Sequence, residues 1–109
     1  MNVADFNDEF EVFLSQMREI ITDKGHDYAA GNDRLANFKH SIEFNISPWK
    51  GILVRLSDKF SRLTSFATQE EMKVKSESLE DTCLDIANYA FLLLCAYKEE
   101  HNVFPKEKE

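Results

Sequence analysis

Apolar residues recur at three- and four-residue steps through most of this chain. Between Asp5 and about Lys24 they are Phe6, Phe10, Phe13, Met17 and Ile20 or Ile21, which form one stripe on a helix. Gly25 follows and predicts the end of that helix. The next segment, GHDYAAGN (Gly25 to Asn32), reads as an ordered loop. Asp33 predicts the cap of a short second helix that carries Leu35, Phe38 and Ile42 on one side. Ser47-Pro48 is a strong helix start, a Ser cap with Pro at the first helical position. The third helix then runs to about Ala67, with Trp49, Ile52, Leu53, Leu56, Phe60 and Leu63 on its apolar face. Thr68 to Lys75 is a polar connector. Ser76 or Ser78 starts a last helix that continues to about His101, and residues 103–109 read as a frayed tail around Pro105. The pattern predicts one domain over residues 1–109, an all-α, compact four-helix bundle.

Composition agrees with helices. There are 3 Gly and 2 Pro in 109 residues, too few for the many turns of a strand-rich fold. The length fits one domain. Acidic residues outnumber basic ones by 20 to 13, for a net charge of -7, which argues against a protein that coats a nucleic-acid polymer. Met1 to Phe10 carries Asp5, Asp8 and Glu9 and lacks the basic-then-apolar pattern of a secretory signal. The most apolar stretch, Cys83 to Tyr97, is too short to span a bilayer and contains Asp85 and Asn88. On one helix Cys83 and Cys95 lie roughly 18 Å apart, too far for a disulfide. They read as buried thiols of a reducing compartment, so the expected location is the cytoplasm. His26, His40 and His101 are scattered and make no zinc spacing.

The last helix carries the most informative polar pattern. At ~100° per residue, Glu77, Asp81, Asp85 and Asn88 fall within an arc of roughly 80°, shared with Leu84 and Leu92. From Cys83 to Tyr97 the helix is apolar nearly all round, the mark of a central buried helix. A carboxylate at Asp85 then needs a partner, a metal or a proton. Two readings stand: Asp85 pairs with a base on a neighbouring helix, or the acids converge on a hard cation such as Mg²⁺.

The third helix supplies candidate partners. Arg55, Asp58, Lys59 and Arg62 stand beside its apolar face. They read either as an exposed ion-pair stripe or as a phosphate site in which Asp58 joins the acids of the last helix. Asp27 and Tyr28 form a third cluster, either turn and closing residues or a carboxylate and a ring that stack and hold a base. Phe38 and Trp49 read as core residues. Together the third and last helices present more apolar surface than a four-helix monomer covers, so a homo-oligomer is expected.

Three stretches carry a family resemblance: KGHDYAAGNDRLANF (Lys24 to Phe38), ILVRLSDKFSRL (Ile52 to Leu63) and ESLEDTCLDIANYAFLLL (Glu77 to Leu94). In order, spacing and residue type they resemble the MazG-like, nucleotide-modification-associated group of all-α nucleoside triphosphate pyrophosphohydrolases of phages and bacteria. The resemblance covers most of the chain. It implies a MazG-like bundle completed by oligomerisation, in the host cytoplasm if the chain is phage-encoded. It also implies Mg²⁺ held by Asp58, Asp81 and Asp85, with Asp58 and Asp85 catalytic. Water would attack between the α- and β-phosphates of a nucleoside triphosphate. Arg55, Lys59 and Arg62 would contact phosphate, and Asp27, Tyr28 and Asn88 would shape the base and sugar pocket.

The sequence departs from the family at two acid positions. Arg62 stands where the earlier helix of active members has a second acid. Thr82 stands three residues before Asp85, with the acid one position earlier at Asp81. These departures motivate an alternative expectation, a helical nucleotide-binding, regulatory or host-interaction protein of the same fold without catalysis.

Overall fold

The structure, a computed structural model, describes residues 1–28, 33–68 and 76–102, with the side chains of residues 24–28 and 76–78 outside the description. Among the described residues there are four helices and no strand. In chain order these are α1 (Val3–Tyr28), a 3-10 helix (Ala36–Phe44), α2 (Pro48–Thr68) and α3 (Ser76–Glu100). The all-α expectation therefore holds. No helix among the described residues is long and apolar enough to cross a membrane.

Helix α1 begins where Asn2 Oδ1 accepts the Asp5 N–H at 2.8 Å, so a side chain satisfies one of the free donors of the first turn. It does not stop at Gly25 as the sequence suggests; its backbone stays helical to Tyr28. Glycine inside a helix costs only about 1 kcal/mol, and an established helix absorbs that.

The second helix also differs from the expectation. It is a 3-10 helix, with three residues per turn. Residues three apart then share a face, so Leu35, Phe38 and Ser41 turn inward while Ile42, expected beside Leu35 and Phe38, is exposed. Asp33 organises the entry: its Oδ1 accepts the Leu35 N–H at 3.0 Å and its carbonyl accepts the Ala36 N–H at 3.3 Å. At the exit Asn45 takes a left-handed conformation (φ 58°), which asparagine tolerates. This lets the Asn45 N–H reach the Ile42 carbonyl and the Ile46 N–H reach that of Ser41, each at 3.0 Å.

Helix α2 starts at Pro48 as the Ser47-Pro48 pair predicts. The Ser47 carbonyl accepts the N–H groups of Lys50 and Gly51 at 3.0 and 3.1 Å. Helices α2 and α3 pack antiparallel: Trp49 meets Tyr97 and Glu100 at one level, and Lys59 meets Asp85 further along. The core lies near the first of these levels, where Ile52, Leu92 and Ala96 meet Leu35 and Phe38 of the 3-10 segment. Ile21 brings the C-terminal half of α1 onto that core, and Trp49 and Tyr89 close it. Phe38 and Trp49 are thus packing residues. Helix α3 is not covered all round, however: Phe91, Leu94 and Tyr97 stand exposed, because α2 occupies only one side of it. On α2 the same division leaves Leu53 and Phe60 exposed beside the buried Ile52 and Leu56.

Lys39 fastens the 3-10 segment to α3. Its Nζ lies 2.6 Å from both Asp33 Oδ2 and Glu99 Oε1. The Lys39 hydrogen bond, and then the Leu35 N–H, hold the Asp33 carboxyl below its ordinary 3.8. Its contribution to stability is therefore complete above that value and is lost as pH falls through the lower folded value. The hydrogen bonds that Lys39 donates to Asp33 and Glu99 raise its ammonium above its ordinary 10.5. That contribution is complete below 10.5 and fades as pH rises through the folded value. Thermal melts of wild type and Asp33→Asn across roughly pH 2.5 to 5.5 (about 1.5 units either side of an ordinary Asp) test the acid limb. The variant is expected to lose less stability on acidification; parallel curves would refute the linkage.

Candidate functional site in the seam between α2 and α3

Helical spacing on α2 places Arg55, Lys59 and Arg62 within an arc of ~60°, next to the row of Ile52 and Leu56 that faces α3. The three cations are used differently. The Arg55 guanidinium lies over the Phe38 ring, 4.9 Å from its centroid. Lys59 is half-buried and donates to Asp85, with Nζ 2.9 Å from Oδ2. Arg62 is exposed and forms no ion pair with a described residue. Of the two readings of Asp85, pairing with a base on the neighbouring helix is the one the geometry displays, and that base is Lys59.

Asn88 lies one helical turn beyond Asp85. It is only 6% exposed, and neither its Nδ2 nor its Oδ1 has a hydrogen-bond partner. The register of the α2–α3 pair puts it at the level of Leu56, between the Lys59–Asp85 pair and the apolar core. Its neighbours one turn either way, Leu84 and Leu92, are buried and apolar. A buried amide with both ends unsatisfied costs about 1–3 kcal/mol, so native folds seldom leave one without a reason. Between its two atoms it can accept two hydrogen bonds and donate two, enough to read the edge of a polar ligand.

No family model, no curated protein and no solved structure matches this chain. The site is therefore interpreted from its own chemistry. Asp58 and Asp81, expected to join Asp85 around Mg²⁺, are both exposed. Among the described residues no three Asp, Glu, His or Cys side chains gather as a metal ion requires. At Asp85 the compensating positive charge comes from Lys59. That pair and the Asn88 amide beside it put a cation, a carboxylate and unused hydrogen-bonding groups in one seam. The side chains of Asp27, Tyr28 and Glu77 lie outside the described residues.

Two features were not legible beforehand. One is that the Asn88 amide is buried with neither end hydrogen-bonded, which depends on how α2 and α3 pack. The other is an aromatic column at the far end of the pair. Trp49 meets Tyr97 edge-on at 5.6 Å, Tyr97 stacks on His101 at 4.1 Å, and Trp49 Nε1 donates to Glu100 at 3.1 Å. The i, i+4 spacing of Tyr97 and His101 was the available signal for the second contact. Cys83 and Cys95 are both free and half-buried, and burial pushes the Cys95 thiol up, which keeps it in its unreactive neutral form.

Proposed function

We propose that this protein binds a nucleoside phosphate in the α2–α3 seam, as a MazG-like helical bundle that works in the cytoplasm as a homo-oligomer. The observation that carries the reading is Asn88: a buried amide with two unmet ends, one turn from a cation–carboxylate pair. Arg62 and the free face of Arg55 supply bidentate contacts to phosphate oxygens, and Lys59 supplies a point charge. Asn88 reads the base or sugar. Asp85 keeps Lys59 pointed into the seam.

A second reading, Mg²⁺-dependent pyrophosphohydrolysis of a nucleoside triphosphate to monophosphate and pyrophosphate, is favoured by the three sequence blocks and by the acids Asp58, Asp81 and Asp85. Calorimetry with each NTP and dNTP, first in EDTA and then with Mg²⁺, separates the two. Saturable binding in EDTA with no monophosphate after Mg²⁺ is added is the expected result. Arg62→Ala is expected to weaken that binding by about tenfold, the loss of one charge-assisted contact. Turnover that appears with Mg²⁺ and vanishes in Asp85→Ala would establish the hydrolase. No binding under either condition would sink both readings.

A further inference from the structure

The apolar stripe of α1 is covered at one end only. Phe13, Leu14, Met17, Ile20 and Ile21 are half-buried against the body, but every residue from Met1 to Val12 is exposed. Val3, Phe6 and Phe10 lie on the same side of the helix as Met17 and Ile21, so the face that packs in the second half of α1 continues past the body in the first half. At ~1.5 Å per residue the overhang from Val3 to Phe13 is about 15 Å. Phe6 is 61% exposed and Phe10 53%. An amphipathic helix in water is held by the packing of its apolar face, not by propensity, so three uncovered turns of this kind call for a partner surface.

A second uncovered face is the outer side of α3. Ala87, Ala90, Phe91 and Leu94 share an arc of roughly 100° turned away from α2. Phe91 is 53% exposed and Leu94 48%. Large side chains beside two alanines give a ridge and a groove of the kind into which another helix packs.

We infer that a second copy of this chain covers both faces, the overhanging stripe of α1 (Val3, Phe6, Phe10) from one protomer lying on the outer face of α3 (Phe91, Leu94) of its partner, and reciprocally. A two-fold pair satisfies both faces at once, because each copy contributes one of each. The exposed parts of these five side chains hold roughly 600 Å² per copy. Two copies therefore bury about 1,200 Å² from these groups alone, the threshold of a stable interface, before the flanking polar atoms are counted. The inference deepens the oligomeric part of the proposed function but makes no use of a nucleotide.

Sedimentation of the full chain without nucleotide is the test, so its outcome is separate from ligand binding. Wild type is expected at twice the 12.7 kDa chain mass or a multiple of it. Phe6→Glu/Phe10→Glu and, separately, Phe91→Glu/Leu94→Glu are expected to reduce the assembly with unchanged helical circular dichroism. Phe44→Glu, at a still more exposed apolar residue outside both faces, is expected to leave it intact. If a charged pair loses helicity, Phe6→Ala/Phe10→Ala replaces it, with an expected weakening of self-association of roughly 100-fold. A monomeric wild type overturns the inference. So does an assembly that survives both paired substitutions, or one that only Phe44→Glu breaks.

Discussion

Asn88→Leu is expected to stabilise the ligand-free protein by about 1–2 kcal/mol while weakening nucleotide binding by roughly 100-fold or more. Asn88 is buried between Leu84 and Leu92, and its amide spends no hydrogen bond on the fold. Leucine has the same branching, removes two unsatisfied polar atoms and adds apolar contact in their place. Its larger methyl groups set the upper limit of the gain, since a packed seam resists added volume. Stability and binding thus move in opposite directions, as expected when a polar group is retained for a ligand and not for packing. Urea unfolding gives the first quantity and calorimetry with the nucleotide that wild type binds gives the second. Should Asn88→Leu destabilise the protein, or bind as wild type does, the amide has a structural role and the binding proposal loses its main support.

Ile52→Ala is expected to cost about 3–4 kcal/mol, or a fall in melting temperature of roughly 15 °C. Ile52 is 0% exposed, at the point where α2, α3 and the 3-10 segment meet. Few other side chains are buried as deeply, so the surroundings hold the cavity open and the truncation removes both transfer energy and contact. Domains of this size are stable by only about 5–15 kcal/mol, which makes the loss a large share of the total. Leu53→Ala, one residue along and half-exposed, is expected to cost less than about 1 kcal/mol. Equal effects at the two positions would show that the α2–α3 register is wrong, because a rotation of α2 about its axis would exchange their surroundings.

Helix positions were readable because their causes are local. Ser47-Pro48 fixes the start of α2 through a proline that needs no hydrogen-bond donor at that position. The three- and four-residue apolar steps fix which segments can be helices. Gly25 was misleading because a glycine signals a helix end only where the following chain takes a left-handed turn, and here the helix continues to Tyr28. The 3-10 geometry of Ala36–Phe44 was not legible either. The spacing of Leu35, Phe38 and Ile42 fits an α-helix, yet docking against α2 with Lys39 tied to Asp33 and Glu99 draws Ser41 inward and leaves Ile42 outside.

The candidate site was legible in its residue types and not in its pairings. Arg55, Lys59, Arg62, Asp85 and Asn88 stand out along the chain because charged and amide groups interrupt apolar faces. Which base meets Asp85 depends on the rotation and register of α2 against α3, and the answer, Lys59, sets the charge that an ion or phosphate encounters. By itself, then, the amino-acid order determined a chain of helices, their approximate ends and a last helix whose acids run into apolar positions. Tertiary structure alone decided which half of each apolar stripe is covered, that Lys59 neutralises Asp85, and that Asn88 is buried without a partner. Helix formation depends on neighbours within a turn or two, whereas burial and pairing depend on residues that are distant in the chain and meet only when the helices pack.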